Sequence, residues 1–261
     1  MPITYQYIYG PVHSWRLGIS FGIDPISHPE KVCNYDCIYC QLGPTTHWVN
    51  EREEFVPTAS LLNEISSLPD MAIDYFTFSG RGEPTLASNL GAMIRGLKRL
   101  RMEKIAVITN SSLLHRPDVQ DDLTAADFVL AKLDGGSGES FERIDNSRGR
   151  VDFSRMVNGL RSFRQIFKGK LALQMMFIAE NKNSVSAMAD VACTIGADEI
   201  EINTPTRPCK PGPLDKDAIE EIKEHFWGIP VVTVYDREVT AIEPLDRRKT
   251  VGRHGRYFSS S

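Results

Sequence analysis

The sequence predicts an α/β fold built on a mainly parallel sheet, and three observations carry that prediction. Six short runs rich in β-branched and aromatic residues recur along the chain, helical periodicity fills the gaps between them, and no internal repeat interrupts the alternation. The strand-like runs are residues 15–19, 75–79, 105–109, 128–133, 171–178 and 199–203, each closed by polar residues or glycine. The helical stretches are 59–67, entered from Thr58 as a cap, then 90–101, 117–125, 153–167 and 185–195, with apolar residues at spacings of three and four.

Short apolar strands joined by helical crossovers need both faces of the sheet covered, and each connection is right-handed. Such a sheet either curves into a partial barrel or is doubly wound, and in both cases ligands gather at the C-terminal edge of the strands. Beyond residue 203 the segment TPTRPCKPGPL reads as a boundary, followed by a helix at 215–226 and a strand-like run at 230–235. The expected organisation is therefore a core over residues 1–210, including an N-terminal segment, with residues 211–261 as a C-terminal extension packed on it.

The 261 residues are 41% hydrophobic and 25% charged, which is ordinary globular composition. A net charge of −4 gives no global field for nucleic acid, although Arg247, Arg248, Lys249, Arg253, His254 and Arg256 make a basic end. No run approaches the roughly 18 apolar residues of a membrane helix. The first residues also lack the order of a signal peptide. A cytoplasmic protein without membrane contact is expected.

Cysteines stand at 33, 37, 40, 193 and 209. An odd number with three inside CNYDCIYC is a poor disulfide framework, so reduced thiolates binding metal fit better. That spacing lets a loop wrap Cys33, Cys37 and Cys40 around one inorganic centre. Structural zinc and ferredoxin clusters each want four protein ligands, and no fourth cysteine is near. An iron left open can be chelated by the amino and carboxylate groups of S-adenosylmethionine, and an electron from a reduced 4Fe-4S cluster then breaks a carbon–sulfur bond to give a 5′-deoxyadenosyl radical. Zinc held with His28 or His47 as the fourth ligand is the competing reading. Cys193, inside VACTI, reads as a packing residue, while Cys209 follows the sixth strand in a Pro-rich loop that could face an active-site mouth.

The Cys-x₃-Cys-x₂-Cys pattern with Tyr39 before the last cysteine resembles the radical S-adenosylmethionine (radical SAM) superfamily. That resemblance implies a partial (βα)₆ TIM-like barrel with the cysteine loop after the first strand, a 4Fe-4S cluster and S-adenosylmethionine as cofactors, and Tyr39 near the adenine. Ser79-Gly80-Arg81-Gly82-Glu83-Pro84 looks like the family's Gly-Gly-Glu-Pro element, which implies contact with the methionine amino group. The physics agrees, since glycines expose backbone groups while Glu83 and the carbonyls can accept from an ammonium. By similarity of position, Asn110 and Ser111 would bond the ribose or the methionine moiety. Lys132 and Asp134 share one face of their strand, and glycyl-radical activating enzymes resemble this arrangement with a lysine that meets the methionine carboxylate. Asn203 is a candidate of the same kind. The segments from Tyr9 to Asp24 and from Asn203 to Pro208 are similar to small iron-sulfur oxidoreductases related to wybutosine synthesis, so that the resemblance covers about residues 8–210.

The function these residues imply is reductive cleavage of S-adenosylmethionine followed by hydrogen abstraction from a small molecule, peptide or RNA base. It would be served by an external electron donor such as flavodoxin or ferredoxin, and no residue is singled out as a general acid or base. The alternatives are a tRNA base-modifying radical enzyme, contacting RNA through the basic end with Tyr257 and Phe258, and a zinc-clip binding protein.

Overall fold

A computed structural model describes residues 5–254 of the chain. Arg256, Tyr257 and Phe258 lie outside the described residues. The chain opens with an antiparallel hairpin, β1 (Ile8–Ser14) against β2 (Gly18–Ile23), in which Ile8 faces Ile23 and Ser14 faces Gly18. The expected strand at 15–19 is therefore mostly the hairpin turn. Trp15 and Leu17 are buried, which gave the turn a strand-like apolar pattern, and Gly18 takes a φ of 64° that ends it. Pro11 disguises β1, because a residue without an N–H is tolerated only in an edge strand, which β1 is.

A small parallel pair follows, β3 (Val32–Cys33) with β4 (His47–Trp48). The βα series then runs α1 (Thr58–Ser66), β5 (Tyr75–Phe78), α2 (Leu90–Leu100), β6 (Lys104–Thr109), α3 (Pro117–Thr124) and β7 (Phe128–Lys132). It continues through α4 (Gly138–Asp145), α5 (Phe153–Ile166), β8 (Lys170–Met176), α6 (Val185–Ile195), β9 (Glu199–Asn203), α7 (Lys216–Lys223), β10 (Val231–Thr233) and α8 (Arg247–His254). The sheet order is β1-β2-β5-β6-β7-β8-β9-β10, parallel from β2 onward, and it curls into a partial barrel. Thr58 is the first helical residue of α1 rather than its cap; Pro57 precedes it without a side-chain bond.

Alternation along each strand divides the side chains between two surroundings. Val107, Val129, Leu171, Leu173 and Ile200 pack outward against Met93, Leu97, Leu160 and Met188 of the helices. Ala106, Phe128, Leu130 and Ala172 point inward with Leu17 and plug one end of the barrel. The inward face continues toward the strand ends through Lys132, Gln174, Met176 and Asn203, where polar residues replace apolar ones.

Two helices were illegible in the sequence. α4 follows a Gly-Gly-Ser-Gly run that reads as loop, yet Ser137 and Ser140 close a capping box at its start. α8 has almost no apolar residue and is held instead by polar bonds: Gly10 N–H donates to Thr250 Oγ1 at 2.9 Å, and Arg253 Nε meets Asp24 Oδ2 at 2.8 Å. Part of the basic end is thus buried against the barrel rather than displayed. The C-terminal segment also adds β10 to the sheet, parallel to β9. Among the described residues, no helix is long and apolar enough to cross a membrane.

Candidate active site

The cysteine loop is held by its neighbours before any metal is considered. The last carbonyls of a helix lack partners within it, and here loop amides supply them: Asp36 N–H donates to Asp145 O at 3.1 Å and Ile38 N–H to Ile144 O at 3.0 Å. Tyr35 is buried against Phe141, and Thr45 Oγ1 donates to Tyr35 O at 2.6 Å. Cys33 is buried, Cys37 and Cys40 are half-buried, and all three are free thiols. Burial pushes the Cys33 thiol up to about 11, with the Glu83 charge adding to it. Burial raises Cys37 as well, against the opposing charge of Lys132.

The spread of the thiols bears on which centre they suit. Around one zinc ion, bonds of about 2.3 Å bring sulfurs within about 4 Å of one another. Among the described residues, the single group of three His, Cys, Asp or Glu ligand atoms within 4.8 Å of one another is His28, Glu30 and His47. The three thiols do not all lie within that distance of one another, an arrangement that a centre several atoms across accommodates.

The turn after β5 needs both of its glycines. Gly80 has a φ of 125°, and a Cβ there would meet Asp24 Cγ at 2.5 Å. A Cβ on Gly82 would fall 1.7 Å from Val32 O, because the turn docks directly on β3. Glu83 is buried, and the chain's own donors take up its carboxylate: Thr85 N–H at 3.0 Å, Thr85 Oγ1 and Thr109 Oγ1 at 2.6 Å, and Asn110 N–H at 2.6 Å. Burial still raises its pKa against those four bonds. Instead of offering an open acceptor, Glu83 ties the turn to the end of β6. Pro84 is buried behind it, and Arg81 reaches outward to Pro29 O and to Gly252 O, the latter at 3.1 Å.

Asn110 and Ser111 sit where β6 ends. Asn110 Nδ2 donates to Asn34 Oδ1 at 2.8 Å and lies 3.7 Å from Cys33 Sγ. Ser111 takes a φ of 70° and spends its hydroxyl on Lys132 O at 2.8 Å. At the end of β7, Lys132 Nζ donates to Cys37 Sγ at 2.8 Å, pairs with Asp134 Oδ2 at 3.3 Å and contacts Asp145. Tyr39 OH donates to Asp134, whose other oxygen accepts from Met176 N–H at 2.7 Å. Burial works against the Lys132 charge, but Asp145, Cys37, Tyr39 and Asp134 together hold it well above the ordinary lysine range. Burial raises Asp145 to about 6, with Lys132 opposing.

A cavity of about 410 Å³ opens at the C-terminal ends of the strands. Of the residues expected from sequence, Tyr39, Cys40, Ser79, Gly80 and Asn203 line it, whereas Gly82, Glu83, Pro84, Asn110, Ser111, Lys132 and Asp134 stand behind or beside its wall. Asn203 is buried, and its Oδ1 has no hydrogen-bond partner. Thr77, Ile108, Gln174 and Met176 also line the cavity and were missed, although the alternation that places Lys132 inward places them inward too. The lining also includes Trp15 and Arg16 of the hairpin turn, together with Arg207 and His254. Arg207 donates to Gln41 Oε1 at 2.7 Å, and burial with two guanidinium neighbours lowers His254 to about 3. Cys209 lies outside this lining and donates to Pro211 O at 3.2 Å. Cys193, expected to be packed, is exposed on α6, because its neighbour Ala192 takes the buried position.

A family model described as the Radical SAM superfamily matches residues 29–192. The UPF0026 protein slr1464 of Synechocystis sp. is 36% identical over 247 residues, covering 94% of this chain and 90% of that protein. Among solved structures, TYW1 with a lysine-pyruvate adduct bound aligns with a TM-score of 0.62 at 15% identity, over 80% of this chain and 74% of that one. Native anSMEcpe with bound AdoMet aligns with a TM-score of 0.59 at 13% identity, over 80% and 63%. At those identities the structural likeness is one of fold.

Proposed function

This chain belongs to the radical SAM superfamily, and from that premise we propose that Cys33, Cys37 and Cys40 hold the cluster while the cavity beside Tyr39 and Cys40 receives S-adenosylmethionine. Members of the superfamily are enzymes whose cofactors are a 4Fe-4S cluster and S-adenosylmethionine. When bound, these supply a 5′-deoxyadenosyl radical that takes a hydrogen atom from the substrate. What supports the assignment is the meeting of two features in one place: three thiols on one loop that are not drawn within 4.8 Å of one another, and an adjoining cavity whose wall carries an unsatisfied Asn203 Oδ1.

The chain's own residues then divide the work. The thiolates hold three irons, and Lys132 and Lys31 place ammonium groups near them. Ser79 and Gly80 present the strand end to the methionine ammonium, Asn203 accepts from a hydroxyl or ammonium of the cofactor, and the Tyr39 ring flanks the adenine. Glu83 holds Asn110 beside Cys33, and Ser111 braces the backbone of Lys132. The substrate, a small molecule, peptide or RNA base, occupies the rest of the cavity, whose lining includes Gln174, Met176 and Arg207. The plugged end of the barrel keeps solvent out from below.

The reductant in this reading is an acidic one-electron carrier of the flavodoxin or ferredoxin kind, in a cytoplasmic setting that keeps thiols reduced. It approaches over Trp48, which is paired in register with Cys33 and flanked by Arg148 at 4.2 Å and Arg150 at 4.8 Å from its ring centroid. Equilibrium binding of S-adenosylmethionine to reconstituted protein tests the cofactor site. Asn203→Ala is expected to lose about tenfold in affinity at unchanged iron content, in line with one buried hydrogen bond; unchanged affinity contradicts the placement.

A further inference from the structure

We propose that His28, Glu30 and His47 form a second metal site, suited to a borderline divalent ion such as Zn²⁺, that clips together the two ends of the cysteine loop. Their ligand atoms all lie within 4.8 Å of one another, and the two imidazoles meet edge to face with centroids 5.0 Å apart. Two imidazoles and a carboxylate are a donor set that zinc and its neighbours in the first transition row accept, with water completing the shell. Metal–nitrogen bonds of about 2.0–2.1 Å bring tetrahedral ligands to about 3.4 Å. The remaining approach is on the order of an ångström, which side-chain rotation supplies because Glu30 is exposed and both histidines are half-buried.

The backbone beneath the three residues is already fixed. His47 stands opposite Val32 in the β3–β4 pair, and its N–H donates to Lys31 O at 3.3 Å. Lys31 Nζ donates to Gly43 O at 3.0 Å, and Arg81 holds Pro29 O between the first two ligands. Glu30 N–H donates to His28 Nδ1 at 3.1 Å, which ties the first imidazole to the backbone of the second ligand. None of the three cluster cysteines belongs to this group.

The consequence is mechanical. Residues 31–46, between the ligands, include Cys33, Cys37 and Cys40, so a metal here closes the loop at its base. Closing a loop removes conformations in which its ligands drift apart. The clip therefore slows loss of the cluster without touching it.

The test uses cluster-loaded protein equilibrated with zinc sulfate and passed through gel filtration, with zinc and iron measured together. Wild type is expected to retain one zinc per chain at undiminished iron, while His28→Ala and His47→Ala weaken zinc binding at least about tenfold and keep their iron. Zinc is also expected to lengthen the half-time of iron release to ferrozine in wild type and not in the variants. Three results overturn the site: no zinc retained, zinc retained equally by both variants, or zinc gained only as iron is lost. Because iron is counted separately, failure of the clip leaves the cluster assignment standing, and failure of the cluster assignment shows as missing iron.

Discussion

Lys132 Nζ lies 2.8 Å from Cys37 Sγ, in a pocket where Asp134 and Asp145 are its carboxylate partners. Strand β7 sets this relationship, because alternation turns Lys132 inward at the level where the cysteine loop crosses the barrel. A buried ammonium with two carboxylates and a thiol leaves uncompensated charge if any one member is removed. Lys132→Met is accordingly expected to destabilise the protein by about 3 kcal/mol, the range for breaking a buried ion pair. Denaturant unfolding measures this, and Lys132→Met/Asp145→Asn should recover part of the loss. A neutral single variant contradicts the network.

Glu83 makes a second prediction. All four of its bonds are accepted by the carboxylate, so Glu83→Gln brings an amide donor against Thr85, Thr109 or Asn110. The expected loss is about 1–3 kcal/mol, the cost of a buried group left unsatisfied, with lower iron retention as Asn110 loosens beside Cys33. Iron retention equal to wild type, with unchanged unfolding, removes Glu83 from the site's scaffold.

Glu201 gives a pH dependence. It is buried on β9 with Arg16 Nε at 2.8 Å, and burial pushes its carboxyl from 4.5 up to about 7 despite that guanidinium. A carboxyl raised on folding contributes stability that is complete below its unfolded pKa and lost as pH rises through the folded one. Between about pH 5 and about pH 8, wild type should lose roughly 3 kcal/mol relative to Glu201→Gln. Parallel melting temperatures of the two proteins across that range contradict the burial effect.

Much of this was legible in the sequence, and the reasons are specific. Strands β5 to β9 announced themselves because both faces of a parallel sheet are covered, which makes the runs apolar throughout. The cysteine spacing and the Gly82-Glu83-Pro84 turn were legible because each meets a local constraint, such as the 1.7 Å approach of Val32 O to a Cβ at Gly82. The roles of Glu83, Ser111 and Lys132 were not legible. Whether a polar side chain faces a cavity or is consumed by its neighbours depends on contacts from Thr109, Lys132 O or Asp145, brought together only by the fold. Helix α8 escaped for the same reason, since Arg253 earns its place through Asp24, 229 residues away.

The proposed approach of the electron donor predicts a charge-specific defect. Arg148→Glu/Arg150→Glu should slow reduction by an acidic flavodoxin about tenfold or more and remove its salt dependence, since steering of this kind raises encounter rates by about 10–10³. Reduction by dithionite should not change. Equal rates with flavodoxin would place the docking face elsewhere.

The central claim is that the three-cysteine loop and its adjoining cavity cleave S-adenosylmethionine, and anaerobic reconstitution followed by product analysis tests it most directly. Wild type is expected to carry four irons with matching acid-labile sulfide, absorb near 400 nm, and release 5′-deoxyadenosine from S-adenosylmethionine under dithionite, while Cys33→Ala, Cys37→Ala and Cys40→Ala each abolish release. A protein that holds one zinc and no sulfide at these cysteines, or that forms 5′-deoxyadenosine equally with and without them, contradicts the account.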